Sequence, residues 1–273
     1  MEIFIPGGGD VNEALTRTTH LAVSAHEDDI EFMAYDGILH CFGDPSLHFT
    51  AVVATDGAGS PRSGIYAGCT DAEMMRIRKE EQKKAAVVGE YGALVFLDLP
   101  SARLKDPSDD AAVEKLKDII SRTTPRVLYT HNPADKHDTH VATVLRLIKA
   151  LRELDYVPEA LYGCEVWRSL DWLCDSEKIA FNVDGRPNLE AALLGVFDSQ
   201  ISGGKRYDTA VIGRRRANAT FSESHGVDTA EGIIFAVDLL PLLRDKSLSV
   251  SDYMAGYIDR FRREVETRIE RLL

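Results

Sequence analysis

The uncharged run Leu21-Ala22-Val23-Ser24 stops at Ala25-His26-Glu27-Asp28-Asp29, where four polar residues follow one another. A run this short suits a buried strand that ends at a loop facing a cleft. Carboxylates crowded at such an edge raise one another's pKa and cost stability unless a cation or a reaction needs them. A divalent metal is the natural occupant. A second cluster, His131-Asn132-Pro133-Ala134-Asp135-Lys136-His137-Asp138-Thr139-His140, follows the apolar run Val127-Leu128-Tyr129. Both clusters fall where open α/β sheets place their ligands, at the C-terminal ends of strands.

Outward from these stretches, apolar strands and amphipathic helices alternate. Strands are expected at about 20–25, 49–54, 94–97, 126–130, 160–166 and 179–183, and helices at 30–39, from Asp71 to about Tyr91, at 111–121, from Thr139 onward and at about 189–200. That order predicts an α/β fold: a Rossmann-like three-layer sandwich with a mostly parallel sheet and the metal site at the C-terminal ends of its strands. Gly37 sits where the 30–39 helix must pack closely on the sheet. After Val183 the signal weakens to a loop with Gly203-Gly204, the basic Arg214-Arg215-Arg216 and an apolar run 232–240. The last 24 residues form a helix whose stripe of Tyr253, Tyr257, Ile258, Phe261, Val265, Ile269 and Leu272 is expected to pack in the core or against another subunit. With no linker in sight, residues 1–273 read as a single domain with a helical extension from about 250 to 273.

Apolar residues make up 44% of the 273, enough for a sizeable core. No segment approaches the roughly 18 apolar residues that span a bilayer, and Met1-Glu2-Ile3-Phe4-Ile5-Pro6 lacks the basic start and long apolar core of a signal peptide. A cytoplasmic location is the expectation. The net charge of −12 argues against nucleic acid or an anionic membrane as partner and leaves a small molecule open. Cys41, Cys69, Cys164 and Cys174 are too scattered for a zinc ribbon or a disulfide framework and read as reduced thiols. His40 and His48, outside both clusters, read as structural. The loop Thr55-Asp56-Gly57-Ala58-Gly59-Ser60 after the second strand lacks a full G-x-G-x-x-G and suits a pocket wall better than a dinucleotide site.

Two histidines and a carboxylate suit zinc with open positions for water, or ferrous iron in a facial triad. At this point the sequence resembles the PIG-L/LmbE-like zinc-dependent N-acetylglucosaminyl deacetylases. Ala25-His26-Glu27-Asp28-Asp29 is similar to that family's Ala-His-Pro-Asp-Asp motif, and Asp135-x-His137-x-x-His140 to its Asp-x-His-x-x-His segment. Thr55-Asp56-Gly57, Arg78-x-x-Glu81 and Ser199-Gln200 fit more weakly.

The resemblance implies that His26, Asp29 and His140 bind Zn2+, with Fe2+ or another divalent metal as substitutes. It makes Asp28 the general base and His137 the histidine that assists the tetrahedral intermediate. Arg78 would line the substrate pocket with Asp56, while Glu81 orients Arg78. The implied reaction is removal of an acetyl group from an N-acetylglucosamine-type sugar or its conjugate. Two departures stand out. Glu27 replaces the usual proline and is expected to reach solvent or a substrate amine, and Thr139 stands where relatives carry an aspartate, so Asp135 or Asp138 would have to orient His137. The rival readings are a non-catalytic sugar- or metal-binding module and a ferrous-iron oxygenase. The oxygenase usually needs a β-barrel, which this alternation does not offer.

Overall fold

The computed structural model describes residues 1–273. Eight strands form one sheet: β1 (Glu2–Phe4), β2 (His20–Ser24), β3 (Phe49–Thr55), β4 (Ala93–Leu99), β5 (Val127–His131), β6 (Ala160–Cys164), β7 (Ile179–Asn182) and β8 (Ile233–Asp238). Their order across the sheet is β1-β4-β3-β2-β5-β6-β8-β7. The five central strands, β4 to β6, run parallel. β1 pairs antiparallel with β4, and β8 antiparallel with both β6 and β7.

This is the expected α/β architecture with helices on both faces. Every residue of β2 and β3 is buried, as parallel strands covered on both sides must be. Side chains alternate between two cores: Leu21 and Val23 face one, Ala22 the other. A Cβ on Gly37 would come within 2.7 Å of the Tyr129 ring, so that glycine lets its helix lie against the sheet. Chain order reverses between β2 and β5, which makes their C-terminal ends the switch point at which such sheets open a crevice. The two polar clusters follow those two strands.

Several elements differ from the sequence-based expectation. The 30–39 helix is two, Asp29–Met33 and Tyr35–Cys41, separated at Ala34. Thr70, not Asp71, caps the Asp71–Val88 helix, exchanging hydrogen bonds with Glu73. β1 is too short for periodicity to reveal. The basic Arg214-Arg215-Arg216 lies within a helix, Tyr207–Phe221, whose face buries only Arg215 and Ala219 and so offers no apolar stripe to read. The closing helix, Val250–Leu272, forms as expected, but of it only Met254 and Tyr257 are buried; Ile258, Val265, Ile269 and Leu272 of the expected stripe are exposed and do not pack in this chain's core. All four cysteines are unpaired. No helix is long and apolar enough to cross a membrane.

Candidate active site

His26 Nδ1, Asp29 Oδ2 and His140 Nε2 converge at the switch point, separated from one another by 3.1, 3.2 and 3.3 Å. Donors bound to one ion at about 2.1 Å in tetrahedral array stand about 3.4 Å apart, so this set fits a single zinc-sized cation. The field agrees with the spacing. Although burial disfavours its charge, His140 has its pKa pushed up to about 9 by Asp29 and Asp135, and a site that holds a proton this firmly favours positive charge. Burial works against the Asp29 carboxylate, but the imidazoles of His140, His26 and His131 hold its pKa well below the usual range.

His140 lies in the first turn of the Asp138–Glu153 helix, as its apolar spacing predicts. Its ring is fixed by Asp135 and His131. Asp135 Oδ2 accepts from His140 Nδ1 at 3.3 Å, leaving Nε2 for the cation. His131 stacks on His140 with ring centroids 3.9 Å apart. His131 Nε2 already accepts the Ala25 backbone N–H at 2.9 Å, so this ring supports the set and does not complete it. The sequence shows His131 as part of a cluster but carries no signal of this supporting place.

His137 is the N-cap of the same helix, not a free loop residue: its Nδ1 accepts the Thr139 N–H at 3.3 Å. The ring proton is thereby placed on Nε2. Burial and the nearby His140 and His26 bring its pKa down to about 4, so at neutral pH it is an uncharged donor. Neither carboxylate expected to orient its ring does so. Asp135 turns to His140 and to the His137 and Trp167 backbone N–H groups, and Asp138 is exposed.

Asp28 stands beside the triad with φ of 92°, a left-handed conformation that a non-glycine residue keeps only when its surroundings impose it. Gln82 Oε1 accepts its N–H at 3.0 Å, and Arg78 Nη2 lies 3.3 Å from Oδ2. Gln82 in turn donates to Glu31, which also accepts from the Tyr91 hydroxyl. Burial raises the Asp28 pKa well above the ordinary carboxylate range; Arg78 opposes that rise, while Asp29, Glu27 and Glu31 add to it.

Arg78 lines the cleft with Asp56, as expected, its guanidinium engaged by the Ser60 hydroxyl, the Glu27 carbonyl and Asp28. Two expectations around Arg78 are corrected. Glu81 does not orient it; both Glu81 oxygens accept from Ser199, its N–H at 2.7 Å and its hydroxyl at 2.6 Å. Glu27 does not reach solvent: it is fully buried, its oxygens lack hydrogen-bond donors, and its nearest cation is Arg78 Nε at 3.6 Å. Gly57, with φ of 74°, makes room for it, since a Cβ there would come within 2.8 Å of Glu27 Oε2.

The site opens into a cleft of about 1040 Å³. His26, Asp28, Asp29 and His137 line it, together with Asp56 and Ser60 from the loop after β3 and with Trp167, Gln200, Lys205 and Tyr207 from the chain after β6. Lys205 and Tyr207 carry no motif that would have found them.

Residues 21–151 match the sequence profile of the family described as PIG-L, GlcNAc-PI de-N-acetylase. No curated protein sequence matches the chain. Among solved structures, it is similar to the 4-carboxy-2-hydroxymuconate hydratase GalB from Pseudomonas putida KT2440, with 18% identity, a TM-score of 0.62 and coverage of 81% of this chain and 96% of that one. It is likewise similar to the N,N'-diacetylchitobiose deacetylase from Pyrococcus horikoshii, with 17% identity, a TM-score of 0.61 and coverage of 80% and 83%. The A40926 pseudoaglycone deacetylase Dbv21 gives 17% identity, a TM-score of 0.60 and coverage of 81% and 97%. Residues 21–151, from β2 to the helix after β5, thus match the PIG-L family model, and the fold is similar to that of these solved structures.

Proposed function

We propose that this protein is a zinc-dependent N-deacetylase, a hydrolase that removes the acetyl group from an N-acetylated amino sugar or its conjugate. The observation that carries the reading is the single-ion spacing of His26, Asp29 and His140, with Asp28 beside them lining an open cleft. The family description adds the reaction class. The fold alone does not choose, because a hydratase and two deacetylases share it.

His26, Asp29 and His140 would hold the metal. When bound, zinc or another divalent ion supplies Lewis acidity, lowering the pKa of water and polarising a carbonyl. Asp28 takes a proton from the water that attacks the amide carbon and returns it to the departing nitrogen, so acetate and the free amine leave without a covalent intermediate. His137 donates its Nε2–H to the oxygen that gains charge in the tetrahedral intermediate. Arg78 and Gln82 hold Asp28 in its left-handed backbone. Asp56 and Gln200, both lining the cleft, offer hydrogen bonds to sugar hydroxyls.

Acetate release from a panel of acetamido sugars, glycosides and disaccharides, with zinc supplied, tests this reading. The expected result is acetate and free amine in equal amounts from at least one of them. Metal binding without turnover of any would favour a sugar- or metal-binding module.

A further inference from the structure

The closing helix, Val250–Leu272, divides in two. Its first half is held to the body: Met254 and Tyr257 are buried, the Tyr253 hydroxyl donates to the Asp238 carbonyl at 2.7 Å, and Arg260 pairs with Glu177. Beyond that pair about three further turns follow, and no residue in them is buried. A solvated helix end needs only polar residues and i,i+4 pairs. This one instead carries an apolar stripe of Ile258, Phe261, Val265, Ile269 and Leu272. Phe261 is half-buried and the rest are exposed, Ile258 by 52%, Ile269 by 53% and Leu272 by 76%. At about 100° per residue the five fall within about 80° of arc. Their spacing of 3, 4, 4 and 3 residues reads the same in either direction about Val265. The charges beside the stripe are balanced as well: Arg262 pairs with Glu266 at 2.9 Å on one flank, and Glu264 with Arg268 at 2.6 Å on the other.

We infer that this stripe is the contact surface for a second copy of this chain, whose closing helix packs antiparallel across a two-fold axis at Val265. In that arrangement Ile258 of each copy meets Leu272 of the other, Phe261 meets Ile269, and Val265 meets its own equivalent. Antiparallel packing turns each flank toward the same flank of the second copy. Arg262 then faces Glu266 across the axis on one side, and Glu264 faces Arg268 on the other. Residues 258–273 hold five arginines and four acids. A glutamate on each flank suits a copy of itself and disfavours an anionic membrane, which attracts helices with basic flanks. A parallel pair would bring two bodies of net charge −12 side by side. The antiparallel pair sets them at opposite ends of the helices. The inference is independent of the reaction proposed above.

The test is sedimentation velocity of the full chain over a range of concentrations. Two helices bury less than a standard interface, so a Kd on the order of 10 µM is expected, with one chain well below it and two well above. Val265→Glu places like charges at the axis and is expected to weaken pairing by at least about 100-fold, with thermal unfolding unchanged because the site is exposed. Val265→Ala, which removes methyl groups from both copies, is expected to weaken it about tenfold. Cross-linking with a short bismaleimide reads the orientation. Ile258→Cys is expected to link to Leu272→Cys when the two variants are mixed, and neither to itself, as seen in the linked peptides. Linkage of Ile258→Cys to itself overturns the antiparallel arrangement. A single chain at every concentration, or a dimer that Val265→Glu leaves intact, overturns the inference. So does a wild type that stays single but binds phosphatidylglycerol vesicles and loses them on Val265→Glu.

Discussion

The two halves of the sheet do different work. Around β2, β3 and β5 the strands are parallel and buried, and their ends carry the residues of the proposed reaction centre: His26, Asp28 and Asp29 after β2, Asp56 after β3, His137 and His140 after β5. Beyond β6 the sheet turns antiparallel, and its loops and helices supply further cleft-lining residues: Trp167, Gln200, Lys205 and Tyr207. A rigid parallel core fixes groups whose spacing must hold to a few tenths of an ångström. The outer half can vary its wall without disturbing them, which is the division expected when chemistry and specificity are set separately.

Substitutions can break that division or sharpen it. The largest effect is expected from His26→Ala or Asp29→Ala, which should lose the metal and the turnover together. Metal analysis after dialysis checks this, and full metal content in both variants would remove them as ligands. Next, Asp28→Asn should keep the metal and slow turnover by about 10²–10⁴-fold, the usual cost of losing a general base. From the other half, Trp167→Ala keeps the backbone N–H that Asp135 accepts. It should raise KM by about tenfold, or about 1.4 kcal/mol, with metal content unchanged; metal loss there would erase the distinction between the halves.

The smallest effect concerns His20, at the opposite end of the strand that His26 follows. Burial lowers its pKa to about 4, with His40 and Arg126 adding to the shift. The unfolded chain takes up this proton below about 6.5 and the folded chain only near 4, so stability falls as pH drops through that window. Between pH 7 and pH 5 the loss should be about 2 kcal/mol. Denaturant unfolding at both pH values should show a shallower dependence in His20→Gln, with acetate release at pH 7 unaltered.

The same division governs what the sequence discloses. β2 and β5 are legible because a short apolar run stopping at clustered imidazole and carboxylate has few physical explanations. His140 could be placed from the spacing of the helix behind it. His137 as a cap, His131 as a stacking support and Gln82 as the partner of Asp28 were not legible, since each depends on contacts between segments distant in the chain. Glu27 shows the limit most plainly. A carboxylate in that motif invites an exposed reading, yet the chain buries it against Gly57 and Arg78. In the outer half, the Tyr207–Phe221 helix presents arginines inward, and no periodicity points to it.

The central claim is that the two strand-end clusters together hold one metal on which amide hydrolysis depends. It is tested most directly by stripping the protein with a chelator and titrating zinc back while acetate release from the best acetamido substrate is followed. The account expects activity to vanish on stripping and to return linearly, with its break at one equivalent per chain, and expects no return in Asp29→Ala. Undiminished acetate release from the stripped protein, or restoration in Asp29→Ala at the same stoichiometry, would contradict it.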